Sequence, residues 1–299
     1  MKKIKVLVLS GGGLKGILTC AALINLRKKL GVPLNEYFDI IIGSSTGAIE
    51  GSLLAAGFEP EDILDFYFNY GKNIFTPVHS ILLFWKRLNE PLYNRDRVLE
   101  SLKENLNKKN ITKLGDITKC EYIATSVNVL DEENVLFSSK DEKYKNVNIE
   151  NIVARSFAAP YYFGLLDVPE EQTIYGDGGT GLANLPAVYG FVESLSNDKD
   201  SIIEMTCMGT GYYQEVLKYS DVKNYNNLDT IWKVYLASGD TLSRKQARSE
   251  QVSLLKTIDK KLDNFKLSYY DIQIPKNLDI MDGVKYMNDY KDYGSRIAF

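Results

Sequence analysis

The opening of this 299-residue sequence predicts an α/β fold: a mostly parallel central sheet covered by helices on both faces. Three observations carry that expectation. The run Ile4–Leu9 is short, β-rich and apolar, and it stops at Ser10 and three glycines. The apolar spacing then turns helical, with Leu18, Ala22, Leu26 and Leu30 on one stripe. A second apolar run, Asp39-Ile-Ile-Ile42, follows and leads through GSSTG into another helix of small residues. Strand, helix, strand and helix joined by short turns is the pattern of parallel strands linked by crossovers.

Each element has a local reason. Arg27, Lys28 and Lys29 suit the negative end of the first helix dipole, and Gly31 with Pro33 stops that helix. Gly57 closes the second helix, Ala48 to Ala56. From Glu59 to about Lys113 the chain reads as helical but different in character. It carries the aromatic run DFYFNY and the apolar run Ile81-Leu-Leu-Phe-Trp85, and a lid-like insert is expected there. Strand spacing returns over Tyr122–Val129, with Asn134–Ser139 as its partner, and again at Thr173–Tyr175 and Ile202–Met208. Helices are expected from Pro186, from about Asn227 and from about Gln246. Without a repeat, a low-complexity tract or a linker, residues 1–299 read as one domain.

Composition narrows the partners. The charges nearly cancel, 36 basic against 39 acidic, and no long block of one sign exists, which argues against nucleic acid. Cys20, Cys120 and Cys207 are odd in number and widely spaced, so neither a disulfide framework nor a metal site follows, and a reducing, cytoplasmic setting is expected. The apolar start ends too soon for a signal peptide and reads as a strand. No run reaches the ~20 apolar residues of a membrane span. Ile81–Leu88, which ends beside a basic pair, could still touch a lipid interface, or could be a buried helix.

The chemistry lies in three glycine-rich stretches. Gly43-Ser44-Ser45-Thr46-Gly47 is a G-x-S-x-G sequence between a buried strand and a helix, the setting in which a sharp turn presents the middle serine at the top of a sheet. The helix N-terminus that follows, with the Thr46 amide, aims donors at the same spot. A serine hydroxyl needs a base. The only histidine, His79, follows the serine and precedes any candidate acid, so a surface or lid position is expected for it and a Ser-His-Asp triad is not. The best carboxylate is Asp177, placed after a short strand in Tyr175-Gly176-Asp177-Gly178-Gly179.

The third stretch, Gly11-Gly-Gly-Leu-Lys-Gly16, matches the dinucleotide pattern G-x-G-x-x-G. That pattern also wants an acid about 20 residues on, at the end of the second strand. Glu36 precedes that strand, and GSSTG occupies its end. A phosphate-binding Walker loop would need Ser or Thr after Lys15, where Gly16 stands. Clustered backbone amides beside a helix N-terminus serve an acyl oxyanion as well as a phosphate, so the loop by itself suits either charge.

In order and spacing, GGGLKG, GSSTG and DGG resemble the patatin-like phospholipase family. The likeness extends to Ala154-Arg-Ser-Phe-Ala-Ala-Pro160, to Asn184-Leu-Pro186 and to Met208-Gly-Thr-Gly211. The resemblance implies a three-layer α/β/α fold, Ser45 as nucleophile and Asp177 as base. It assigns the oxyanion role to Gly11, Gly12 and Gly13, with Lys15 at the family's basic position, where arginine is frequent. Gly16, Gly43, Gly47, Gly178 and Gly179 are the glycines that shape these turns. The implied activity is hydrolysis of fatty-acyl esters of phospholipids or other acyl-lipids, with transient contact with a membrane surface and neither cofactor nor metal. The alternatives are a serine acyltransferase, which would pair its serine with a histidine, and an inactive lipid-binding scaffold. Nothing in the sequence names a regulatory partner or ligand.

Overall fold

A computed structural model describes residues 2–78, 90–180, 184–197, 200–214, 223 and 242–299. β1 (Lys3–Leu9) leads through the short turn Gly13–Lys15 into α1 (Gly16–Leu30), which ends on a left-handed Gly31. A single turn, α2 (Leu34–Tyr37), precedes β2 (Ile40–Ser44), and α3 (Thr46–Ala55) starts one residue beyond that strand. α4 (Pro60–Ile74) is set by a proline in its first turn and by the Glu59 amide donating to Asp62. There follow α5 (Asp96–Asn107), β3 (Glu121–Asn128), β4 (Glu133–Ser138) and α6 (Ile149–Ser156). β5 (Leu166–Val168), β6 (Thr173–Asp177), α7 (Ala187–Asn197) and β7 (Ile202–Met208) come next. The last elements are α8 (Leu242–Asp259), β8 (Phe265–Tyr270) and α9 (Met287–Ser295).

The strands form one eight-stranded sheet in the order β5-β6-β3-β2-β1-β7-β8, with β4 also paired to β3. The centre is parallel, as predicted: β2, β1 and β7 run side by side, with β3 and β8 parallel outside them. Among the described strands, only the β3, β4, β5, β6 end is antiparallel. Alternate residues of β1 enter different cores. Leu7 and Leu9 pack with α1, α3, α4, α5, α6 and α9 on one face. Ile4, Val6 and Val8 pack with α7 and α8 on the other. A strand buried on both faces must be apolar throughout, which is why Ile4–Leu9 and Ile40–Ile42 are legible from sequence.

The segment expected to be lid-like is, where described, well packed: α4 buries Ile63, Leu64, Phe66, Tyr67 and Ile74. His79, the apolar run Ile81–Leu88 and the helix expected from about Asn227 lie outside the described residues. β8 and α9 have no counterpart in the sequence reading. α9 docks on α1 where Gly294 passes against the Leu18 carbonyl. No helix among the described residues is long and apolar enough to cross a membrane.

Candidate active site

Ser45 sits at the corner between β2 and α3 with φ 54° and ψ −118°, a left-handed conformation rare for a residue with a side chain. The corner is tight on both sides. A Cβ on Gly43 would lie 2.0 Å from the Gly47 carbonyl oxygen, and one on Gly47 would lie 2.3 Å from that of Leu9. Only glycine fits either place, so the two outer letters of G-x-S-x-G are steric requirements. The Ser45 amide donates to Ser156 Oγ at 2.9 Å, at the C-terminal end of α6.

The partner of the Ser45 hydroxyl is Asp177, whose Oδ2 accepts from Ser45 Oγ at 2.8 Å. Strand register explains why residues so far apart in sequence meet. Along one edge of β3, β2 pairs as far as Ser44 opposite Thr125. β6 takes over at the very next residue, with Asp177 opposite Ser126. β4 fills the other edge. The C-terminal ends of β2 and β6 therefore abut, and the residues that finish them face each other. Asp177 is held further by the Gly179 amide on Oδ1 at 2.6 Å, and its own amide donates to the Ala158 carbonyl at 3.0 Å. Gly178 lies against Thr125, and Gly179 against Asn184.

The glycine-rich loop runs alongside. A Cβ on Gly11 would stand 3.1 Å from Ser45 Cβ, and Gly13 lines the same cavity as Ser45. Two loop amides are committed: Gly11 donates to the Asn184 carbonyl at 3.0 Å and Leu14 to the Met281 carbonyl at 2.6 Å. Among the described residues nothing accepts the Gly12 or Gly13 amide, so these, with Thr46 at the start of α3, are the donors left for an oxyanion.

Lys15, which the resemblance sets at the family's basic position with the oxyanion loop, is engaged by a partner from the far end of the chain. Its Nζ donates to Asp279 Oδ1 at 2.8 Å in a buried ion pair and approaches the Gly211 carbonyl at 3.4 Å. A charge so neutralised has little field to offer a neighbouring anion. Sequence reasoning missed Asp279 because nothing local marks it. It missed the roles of Ser156, Ala158 and Asn184 too, although the segments holding them, Ala154–Pro160 and Asn184–Pro186, carry part of the family resemblance.

Gly16 opens α1 against a buried polar cluster of Glu50, Tyr67 and Thr46. Tyr67 Oη bonds Thr46 Oγ1 and donates to Glu50 Oε1 at 3.1 Å. Burial pushes the Glu50 carboxyl well above the usual carboxylate range, although the Tyr67 hydrogen bond opposes the rise. Burial likewise pushes the thiol of Cys20 and the phenol of Tyr67 up, with Glu50 adding to both. Beside Ser45 opens a cavity of about 40 Å³ whose walls include Ile49, Phe66, Ile74, Phe75, Val98 and Phe157. Among the described residues no cluster of His, Cys, Asp and Glu is arranged to hold a metal ion.

Comparison with known proteins bears on the family of the chain. A family model described as patatin-like phospholipase matches residues 7–190. A cGAMP-activated phospholipase of Escherichia coli (strain TW11681) is 25% identical over 255 residues, covering 82% of this chain and 67% of its own. Another, of Pseudomonas aeruginosa (strain BWHPSA011 / Pa011), is 27% identical over 215 residues, covering 69% and 62%. Patatin-like protein 4 of Arabidopsis thaliana is 26% identical over 270 residues, covering 81% and 61%. The chain spans about two thirds of the length of the first relative and less of the other two.

Proposed function

The chain belongs to the patatin-like phospholipase family, and from that premise we propose that it hydrolyses fatty-acyl esters of phospholipids or related acyl-lipids through a Ser45–Asp177 dyad. The observation that carries the proposal is the direct 2.8 Å hydrogen bond from Ser45 Oγ to Asp177 Oδ2 at a strained strand-to-helix corner. Asp177 takes the hydroxyl proton as Ser45 Oγ attacks the ester carbonyl. The tetrahedral oxyanion forms against the Gly12, Gly13 and Thr46 amides, and the departing alcohol takes the proton from Asp177. The acyl-enzyme is then cleaved by a water that gives its proton to Asp177, and the fatty acid leaves as Ser45 recovers its hydrogen. A carboxylate is a weak base toward a hydroxyl, so most of the acceleration falls to positioning and to the preorganised amides.

The walls beside Ser45 are apolar and aromatic, which supports an apolar group next to the scissile carbonyl; at about 40 Å³ the space takes only the first methylene or two of an acyl chain. Exposed Val129 and Leu130, just past the end of β3, and Leu165, whose side chain lies beside Gly176, support a lipid surface as the place where substrate is met. The test is incubation with mixed phospholipids, with and without cGAMP because two relatives bear that ligand in their names, followed by mass spectrometry of the products. Free fatty acid is the expected product. Ser45→Ala is expected to lower the rate by about 10⁴- to 10⁶-fold, and a fluorophosphonate to label Ser45 alone. Labelling at Ser44, or full activity in the alanine variant, overturns the assignment.

A further inference from the structure

Two of the anchors of the glycine-rich loop come from one short stretch near the far end of the chain. The Leu14 amide donates to the Met281 carbonyl at 2.6 Å. Lys15 Nζ pairs with Asp279 Oδ1 at 2.8 Å, the two side chains being 3% and 9% exposed. The stretch is itself held at two more points. Tyr290 Oη of α9 donates to the Ile280 carbonyl at 2.8 Å, and Tyr93 Oη donates to Asp282 Oδ2 at 2.6 Å. Tyr93 in turn packs its ring on Phe75 and Phe163, which line the cavity beside Ser45. Residues 279–282 thus reach from the candidate oxyanion loop to the wall of the candidate acyl cavity.

The geometry points to Asp279 as a positioning residue for the reaction, acting through Lys15 to hold the Gly13–Lys15 turn at the distance at which the Gly12 and Gly13 amides receive the oxyanion. This rests on the oxyanion role proposed above for those amides. Three physical points favour it. A buried ion pair gives little net stability after desolvation of both charges, and what it can supply is a fixed relative position. The contact has no slack, since at Gly13 (φ +60°) a Cβ would stand 2.2 Å from the Met281 carbonyl oxygen. And a displacement of about 1 Å in a catalytic donor can cost about 10²-fold in rate. Lys15 is then a strut with its charge spent on Asp279, and its own contact with the oxyanion is not needed.

The experiment compares wild type, Asp279→Asn, Asp279→Ala, Lys15→Met and the double variant Lys15→Met/Asp279→Leu. It uses steady-state hydrolysis of an acyl ester and hydrogen–deuterium exchange of peptides covering residues 10–18 and 202–208. Each single variant is expected to lose about 10- to 100-fold in kcat with KM within about threefold, the pattern of an interaction realised in the transition state. The double variant, which replaces the pair by apolar groups of similar volume, is expected to regain at least about tenfold over either single. Exchange over 10–18 should quicken by about tenfold in Asp279→Ala while 202–208 stays unchanged. A double variant no faster than Lys15→Met means that the lysine charge acts directly, and this overturns the strut. Unchanged exchange together with wild-type kcat in Asp279→Ala overturns it as well. A wild-type protein that hydrolyses no acyl ester overturns the proposed function and with it the kinetic half of this inference, while the exchange result still decides whether Asp279 holds the loop.

Discussion

Ser45 and Asp177 differ in how their positions are secured. Ser45 is forced into place by its own turn, with glycines on both sides and a backbone conformation that costs of order 1–3 kcal/mol in a residue carrying a side chain. Asp177 is placed from a distance, by the register in which β6 follows β2 along β3, and is aimed by the Gly179 amide. With Ser45 Oγ hydrogen-bonded directly to the carboxylate, no group need stand between the proposed nucleophile and the proposed base. Asp177→Asn keeps the shape and removes the proton acceptor, so hydrolysis should collapse with little change in melting temperature. His79→Ala should cost less than about tenfold, because a serine bonded directly to a carboxylate needs no imidazole relay. An inert histidine variant beside an active asparagine variant would show that the base has been misassigned. The same contrast decides what was readable beforehand. Ser45 announces itself through a local pattern, and Asp177 through glycines that surround it. Asp279, which pairs with Lys15, lies in a segment without any pattern of its own, and Ser156 lies in a stretch that carries the resemblance but does not show that it accepts the Ser45 amide; only the folded chain brings them near.

At the scale of elements, α1, α3 and α4 meet over an unusual core. Their contact holds Cys20, Glu50 and Tyr67, all buried, with Thr46 bonded to Tyr67 and the Glu50 carboxyl pushed well above the usual carboxylate range by burial. The helix of small residues, Ala48 to Ala56, was legible in the sequence, but a single Glu50 within it gave no sign of the buried polar cluster it joins. The consequence for stability has a definite sign. The folded-state pKa of Glu50 lies above the unfolded value, so below the unfolded pKa both states hold the proton and the group is neutral to folding. As pH rises through the unfolded pKa, the unfolded chain releases its proton while the folded chain keeps it, and stability falls until the folded pKa is reached. One proton corresponds to at most about 1.4 kcal/mol per pH unit over that window. Glu50→Gln keeps the acceptor for Tyr67 and removes the ionisation, so urea denaturation from pH 5 to pH 8 should show a flatter profile than wild type and a more stable protein at the upper end. Parallel profiles for the two proteins would mean that Glu50 is ionised in the fold.

For the molecule as a whole, the sheet arranges function by direction. Its parallel strands β1 and β2 end at one edge, and the glycine-rich loop, Ser45 and, through the abutting β6, Asp177 all gather there. The alternation of strand and helix made this edge legible as the place for a site. The added strand β8 and helix α9 were not legible, because among the described residues β8 is paired along one side only and α9 is amphipathic over just nine residues. The same end of the molecule carries its suggestive surface. Val129 and Leu130 follow β3, and Leu165 precedes β5, all exposed; a Cβ on Gly176, one residue before Asp177, would lie 3.4 Å from Val129 and 3.6 Å from Leu165. If this rim meets the lipid surface from which substrate is drawn, Leu130→Asp/Leu165→Asp removes two insertions worth about 1.5–3 kcal/mol each at full burial. Partial insertion of both should still cost at least about tenfold in hydrolysis of vesicle phospholipid. Hydrolysis of a short-chain ester dissolved below its aggregation limit requires no surface, and it should stay within about twofold of wild type. Measuring both substrates on one preparation separates docking from chemistry. Equal losses on the two would place these leucines in the support of the site, and no loss on either would put the lipid-facing surface elsewhere on the molecule.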